Sequence, residues 1–390
     1  RIVYLYAFDV AHEVHTSKIV ELLSQKPFPF QIRVGSMAPK DVPLYRPLMI
    51  SLKPETAESN AGPVTLQPFV KVFDIGVVSI SYEVAFEVDG LLDLIPYHDL
   101  RVGGLTLHQR AERLCQQVTE NLASVLVTPN TERPVAEAYT VFCIEQLGEA
   151  AGGRVPEWMQ THRREIAALL VEEAVPDRVA PGQVEETLRE TLAYTVADLA
   201  VIDWDAALVV DQAGYFDDVL YVIELANLQL EEFKLLDDRL DRVFLEAYDD
   251  IERYNARKWP PLNPRRILNA LRAFRMDITK MSEELSNITK FVGDWYLARV
   301  YLACKERFHL ARWEASVDQK LILRTGQNQA TVTVTSVTDS AHVAATLDTA
   351  APAAVQAVAL SDWAIASTTL SGLWHLEGRQ VAILADGSVQ

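Results

Sequence analysis

The chain of 390 residues is 49% apolar and 23% charged, with a formal net charge of −18 and an isoelectric point near 4.9. That length holds two to three domains, and the composition excludes a disordered or fibrous chain. The negative charge excludes a nucleic-acid backbone as a partner for the whole surface. No run of about 18 uninterrupted apolar residues is present to cross a membrane.

Residues 1–150 read as an α/β unit. Ile2–Phe8 is an apolar strand, and Val14–Leu23 has helical spacing at Val14, Ile19, Leu22 and Leu23. After a Pro-rich stretch come strands at Leu48–Leu52 and within Phe69–Phe86. There Val70 and Val72, then Val78, Ile80, Tyr82, Val84 and Phe86, alternate as in half-buried strands. Asp74-Ile75-Gly76 between them marks a bulge or turn. Thr106–Leu126 is an amphipathic helix and Ala138–Leu147 a strand. Residues 151–215 form a mixed connector, with two short helices separated by Pro176 and Pro181-Gly182 and a strand within Asp198–Val210.

Residues 216–321 carry the strongest periodicity. Apolar positions at Val219, Ile223, Ala226, Leu230, Phe233, Leu240, Phe244, Ala247, Ile251 and Tyr254 alternate by four and three, a heptad seam interrupted at Asp237. Trp259-Pro260-Pro261-Leu262-Asn263 breaks this helix, which would be roughly 55–60 Å long. A second seam runs from Ile267 through Leu271, Phe274, Ile278, Met281, Leu285, Ile288, Val292 and Trp295 to Leu302, interrupted at Arg299. The expectation is a long antiparallel helical hairpin, which makes the fold class α+β. In that register Asp237 faces Lys280, and Arg299 reaches Asp217, Asp218 and Glu224 near Tyr221–Val222. Trp295, Tyr296, Tyr301, Phe308 and Trp313, beside Lys305, Arg307, His309 and Arg312, have the composition of an interface. Packing within the chain is the alternative for them.

Residues 322–390 hold only seven charges, leaving 34 basic and 49 acidic residues in 1–321. This piece is rich in Ala, Thr and Val and reads as β-rich. The abrupt change of style marks two independent units.

Motifs that could carry chemistry are few. His12-Glu13-Val14-His15 spaces its histidines three apart, where a helical zinc site needs four, so it reads as two partly exposed histidines at a helix start. His98-Asp99 and His108 come without a nucleophile motif and read as solvated turn groups. Gly103-Gly104 and Gly152-Gly153 lack the pattern of a phosphate or dinucleotide loop. The acids Asp217, Asp218, Glu224, Glu231, Glu232, Asp237, Asp238 and Asp241 read mainly as helix N-terminal or outward groups. Cys115, Cys143 and Cys304 form no disulfide framework, which suits a reducing cytoplasm, and Lys305 and Arg307 would lower the Cys304 thiol pKa. No catalytic, metal or cofactor residue is assigned. The chain opens on Arg1 rather than Met, which leaves room for a preceding targeting segment.

The run Asn287–Tyr301, with Arg307-Phe308-His309-Leu310, Trp313-Glu314, Lys71–Ser79 and the Ile223–Leu245 helix, resembles uncharacterised bacterial cytosolic proteins and the "required for meiotic nuclear division" family. The resemblance implies a non-enzymatic, oligomeric factor; it supplies no catalytic residues, and the C-terminal membrane segment of the eukaryotic relatives is not seen here. Thr331–Trp363 and Ser371–Gly387, with Leu376-Glu377-Gly378, Val381 and Leu384-Ala385-Asp386-Gly387, resemble a bacteriophage tail protein of the nozzle or tubular type. That resemblance implies a virion component. The leading expectation is a cytoplasmic scaffold that assembles with copies of itself through its long helices. The alternative is a structural piece of a phage tail.

Overall fold

The computed structural model describes residues 1–15, 19, 28–29, 47–130, 136–147, 154–212, 215–257, 295–325, 331–339, 342–347 and 369–371. It divides into two compact units, Arg1–Asp318 and Gln319–Gln390.

The first unit is built on one sheet. Its strands are β1 (Ile2–Asp9), β3 (Phe28–Pro29), β4 (Leu48–Ser51), β5 (Glu55–Ser59), β6 (Gly62–Val72), β7 (Val77–Val84), β8 (Arg101–Val102), β9 (Leu105–Thr106), β11 (Glu137–Ile144), β12 (Glu190–Leu192), β13 (Leu199–Ile202) and β14 (Ala206–Val210). The main order is β12-β13-β14-β11-β1-β7-β6-β5-β8-β9, and β4 joins β6 and β3. Every pairing is antiparallel except β11 with β14. β2 (Ala11–Val14) and β10 (Leu126–Pro129) form a separate ribbon.

The helices are α1 (Leu107–Leu122), α2 (Val155–Thr161), α3 (Arg163–Leu170), α4 (Pro181–Thr187), α5 (Phe216–Arg257), α6 (Trp295–Arg307) and α7 (Leu310–Thr325). α1 starts at a reciprocal cap: the Gln109 N–H donates to Thr106 Oγ1 and the Thr106 N–H to Gln109 Oε1, both at 3.2 Å. Ala111 and Cys115, one turn apart on α1, are buried in the core.

Period-two geometry sends alternate side chains to opposite faces. On β1, Ile2, Tyr4, Tyr6 and Phe8 join the main core with Val78, Ile80, Tyr82 and Val84 of β7, Phe142 of β11, and residues of α1 and α3. Val3, Leu5, Ala7 and Asp9 point the other way and are buried as well. α5 lies over that second face, against β1 and β11, and α6 packs on α5 while touching β12 and β13.

This arrangement overturns the expected fold class. A twelve-stranded, nearly all-antiparallel sheet runs through residues 1–210, where the sequence suggested an α/β unit followed by a connector. Among the described residues no long helical hairpin is shown. The first helix exists, 42 residues long, but from Val219 to Glu231 it is buried on every side, not along a seam alone. Burial between a sheet and a second helix produces the same four-three spacing as a coiled coil. The Pro260-Pro261 break, Lys280 and the second seam before Trp295 lie outside the described residues, and so do Gly152-Gly153.

Smaller differences have local causes. Ala11–Val14 is a strand paired with β10, so His12 and His15 sit on an extended segment and not at a helix start. Asp198–Val210 is two strands joined at Asp203–Asp205, not one. Gly103 and Gly104 have φ of 61° and 77° and turn β8 into β9, a two-residue connection that needs positive φ at both positions.

In the second unit β16 (His342–Leu347) and β17 (Thr369–Ser371) flank β15 (Thr331–Asp339), both antiparallel to it. The β15–β16 register shifts at Val334/Ser336 and again at Val337/Asp339.

The β6–β7 turn is pinned to the end of β1. The Gly76 carbonyl accepts from the Val10 and Ala11 amides at 3.0 and 3.2 Å, and Gly76 has φ of 94°. A Cβ there would lie 1.8 Å from the Ala11 carbonyl oxygen, whereas Gly62, with φ of 101°, has open space around it. In urea denaturation Gly76→Ala is expected to cost more than about 2 kcal/mol, and Gly62→Ala only about 1, the cost of the backbone conformation alone. Equal losses at the two sites would mean that the β1 contact contributes nothing.

Candidate functional site

The second face of the sheet is polar where a buried face is usually apolar. Register places Ser79, Ser81 and Glu83 of β7 beside Ala7, Leu5 and Val3 of β1, and Lys71 and Phe69 of β6 beside Ser79 and Ser81. All of these share one face, and α5 covers it with side chains that answer them.

At the start of α5, the Arg1 guanidinium donates to Glu83 Oε2 at 3.1 Å and to Asp217 Oδ1 at 2.7 Å. Two turns on, Glu224 is only 2% exposed; Ser79 Oγ donates to its Oε1 at 2.6 Å and Lys71 Nζ pairs with its Oε2. Cutting one partner from such a buried pair costs about 3–5 kcal/mol, because the other charge is left in a poor solvent. Between these two clusters lies a cavity of about 210 Å³, lined by Val3, Leu5, Met49, Phe69, Leu220 and Tyr221 together with the charged groups and Ser81.

Further along α5 a second polar group forms. The Asn227 amide donates to the Glu137 carbonyl at 3.1 Å, and Lys234 pairs with the Glu137 side chain. Asn130 Nδ2 donates to Asp9 Oδ1 at 2.7 Å, and Arg239 donates to Asn130 Oδ1 at 2.5 Å and reaches Asp9 at 3.4 Å. Glu231 is buried among these acids. Desolvation, then the charges of Glu137 and Asp9, pushes its pKa up to about 8. Desolvation likewise raises Asp9 to about 6 against the pull of Arg239 and Asn130.

A third group ties α6 to the sheet. Arg307 is buried; its Nε donates to the Ile202 carbonyl at 3.1 Å, one terminal nitrogen donates to Glu186 Oε1 at 3.0 Å, and the other lies 3.5 Å from Asp203. Tyr139 donates to the Asp203 carbonyl at 2.8 Å and meets Phe308 edge-on at 5.0 Å.

The expected interface residues distribute unevenly. Tyr301 and Phe308 are buried inside the first unit, Tyr301 donating to Gln229 Oε1 at 2.7 Å. Tyr296 is half-buried and tilts against exposed Tyr194 at 5.7 Å. Trp313 is half-buried on α7, Arg299 half-buried on α6, and Trp295 begins α6. Asp237 accepts from Ser316 Oγ of α7 at 3.3 Å. Two of the acids expected around Arg299 are committed elsewhere, Asp217 to Arg1 and Glu224 to Lys71 and Ser79.

Several plain readings need correction. Glu224 and Glu231 face the sheet and are buried, not outward. The His98 side chain is 6% exposed and contacts the Leu169 carbonyl at 2.7 Å, Glu172 at 3.0 Å and the Phe142 ring. It is a packing group, not a solvated one. Cys304 is fully buried, so desolvation raises its thiol pKa where its basic neighbours in sequence suggested lowering. The residues that sequence reasoning missed are Asp9, Lys71, Ser79, Glu83 and Glu137. For Ser79 and Glu83 the signal was a polar residue at each alternate position of β7, which also describes a strand face in water; Asp9, Lys71 and Glu137 share their faces with apolar residues and gave no such pattern.

The geometry defines a class: a broad antiparallel sheet closed on its second face by one long helix through ion pairs, of which Lys71–Glu224 is buried. The family model described as "Uncharacterized protein MJ0711, N-terminal domain" matches residues 1–217, and the chain belongs to that family. The "Uncharacterized protein MJ0711" of Methanocaldococcus jannaschii is 22% identical over 208 residues, covering 53% of this chain and 61% of that protein. The match thus spans about three-fifths of the relative's length. No solved structure matches.

Glu231 gives this site an unusual pH response. An acid whose pKa is raised by folding favours the folded state when protonated. Its contribution therefore falls as pH rises from its unfolded value near 4.5 to about 8. Glu231→Gln should stabilise the protein by on the order of 2–4 kcal/mol at pH 8 and much less at pH 5, measured by urea denaturation. An advantage that did not change with pH would show that Glu231 is ionised in the folded state.

Proposed function

We propose that the chain is a non-enzymatic assembly module whose copies associate through the distal part of α5. One observation carries this reading. α5 is 42 residues long, about 63 Å at the helical rise, yet Leu240 is the last of its described side chains to be buried. Beyond it Leu245 is 63% exposed. In the sequence the four-three apolar spacing runs on through Phe244, Ala247, Ile251 and Tyr254. A helix keeps such a stripe at a gain only where it has a surface to bury it.

The strongest charged groups of the first unit, Lys71–Glu224 and Arg307–Glu186–Asp203, are used in holding helices to the sheet, which suits a structural role. The three buried, free cysteines suit a reducing cytoplasm, and no helix among the described residues is long and apolar enough to cross a membrane. The likeness to the meiotic nuclear division family supports the same reading.

The second unit supports a different one, a phage-tail component. Its antiparallel sheet uses Thr369–Ser371, which runs into the start of the tail-like stretch at Ser371. Peptides spanning Lys320–Thr325 in purified virions would establish that role, and their absence would remove it.

Light scattering on the purified chain should give an integral multiple of 43.6 kDa at micromolar concentration. Ile251→Lys, on the apolar spacing, should shift it to the monomer with an unchanged circular dichroism spectrum. A monomeric parent, or a variant that assembles as the parent does, would overturn the proposal.

A further inference from the structure

The cavity beneath the first turns of α5 takes no part in the assembly reading. Three polar side chains of β7, Ser79, Ser81 and Glu83, face that helix from alternate positions. The outer two are answered: Ser79 Oγ donates to Glu224 at 2.6 Å, and Glu83 accepts from the Arg1 guanidinium at 3.1 Å. The middle one is not. Ser81 is 5% exposed, and its hydroxyl has no hydrogen-bond partner among the described residues. Leu5 of β1 and Phe69 of β6 stand directly beside it in register, and all three line the cavity. A buried hydroxyl is normally paired, because leaving it unpaired forfeits the bond it had to water. Here the unpaired hydroxyl borders an apolar space.

That space measures about 210 Å³, with Val3, Leu5, Met49, Phe69 and Leu220 in its wall. An apolar cavity of about 150 Å³ takes up benzene, so this one has room for a ring and a short arm. The charges at its two ends are already engaged, Arg1 with Glu83 and Asp217, and Lys71 with Glu224. An ionic ligand would therefore give up its hydration without finding a free counter-charge. A neutral ligand leaves those pairs as they are and needs only one polar atom, to meet the hydroxyl. We propose that this cavity binds a small neutral alcohol with an apolar body. The ligand hydroxyl pairs with Ser81 Oγ, its body lies against Leu5, Phe69 and Leu220, and the ion pairs that hold α5 stay intact.

The test is isothermal titration of the full chain with benzyl alcohol, with toluene, which lacks the hydroxyl, and with benzoate and benzylamine, which carry a charge in its place. Benzyl alcohol should bind saturably, one molecule per chain, and the two charged analogues at least about tenfold more weakly. Ser81→Ala should weaken benzyl alcohol about fivefold and leave toluene binding as it is in the parent. Met49→Trp and Phe69→Trp, two half-buried wall positions on different strands, fill the space; each should abolish benzyl alcohol binding, and a variant that does not fold is replaced by the other. No saturable binding of benzyl alcohol, a charged analogue that binds as well, or full binding by a folded tryptophan variant would each overturn the proposal. So would a Ser81→Ala variant that binds benzyl alcohol as the parent does, or that loses toluene and benzyl alcohol alike.

Discussion

β1 has no solvent face. All eight residues of Ile2–Asp9 are buried, so both sides of the sheet at its centre must be covered. The first side is covered conventionally, by α1, α3 and the short helical turn Leu91–Tyr97 over an apolar core. The second side is covered by α5, and everything distinctive about this protein follows from how that helix is held. Without it, Val3, Leu5, Tyr139 and Val141 would lie in water, and each large apolar side chain so exposed forfeits about 1.5–3 kcal/mol.

The holding is done by polar groups as much as by apolar ones. A helix laid on an apolar sheet gains about the same energy in several rotations and registers. Lys71–Glu224, Arg1–Asp217, Lys234–Glu137 and Arg239–Asp9 are matched over about six turns, and sliding α5 by one turn would break all four. Lys71–Glu224, the buried pair of the four, adds little net stability over well-packed apolar residues, but mismatching it is costly. The same logic fixes α6, where the Arg307 side chain reaches the end of α4 and the turn between β13 and β14. Glu231 stands outside this pairing. Its raised pKa is first the cost of burying a carboxylate under the helix and then that of the nearby acids Glu137 and Asp9.

How far this was legible in the sequence depends on which face of a strand is considered. The apolar faces of β1, β6 and β7 were plain from Ile2–Phe8, Val70–Val72 and Val78–Val84, and the amphipathic spacing from Thr106 to Leu126 announced α1. The polar faces were misread. Ser79, Ser81 and Glu83 alternate with Val78, Ile80 and Tyr82 as they would beside water, and nothing local to β7 reveals that Glu224 of α5, 145 residues away from Ser79, lies across from it. The long helix was visible, but its surroundings were not. Periodicity reports that a helix has an apolar stripe and is silent on whether a sheet or another helix meets it. Short strands such as β5, β8, β9 and β12 carry too few residues for any alternation to register. This is why the width of the sheet escaped and a connector was expected at 151–215.

The central claim is that α5 belongs to the core of the sheet unit and is not an appendage to it. Native-state hydrogen exchange of the full chain tests this directly. The amides of Leu220–Leu240 should exchange in the same slow class as those of β1 and β7, because freeing them requires exposing the second face of the sheet. If they exchange far faster than β1 while β1 stays protected, the helix opens independently. The polar interface would then not be what holds the structure together.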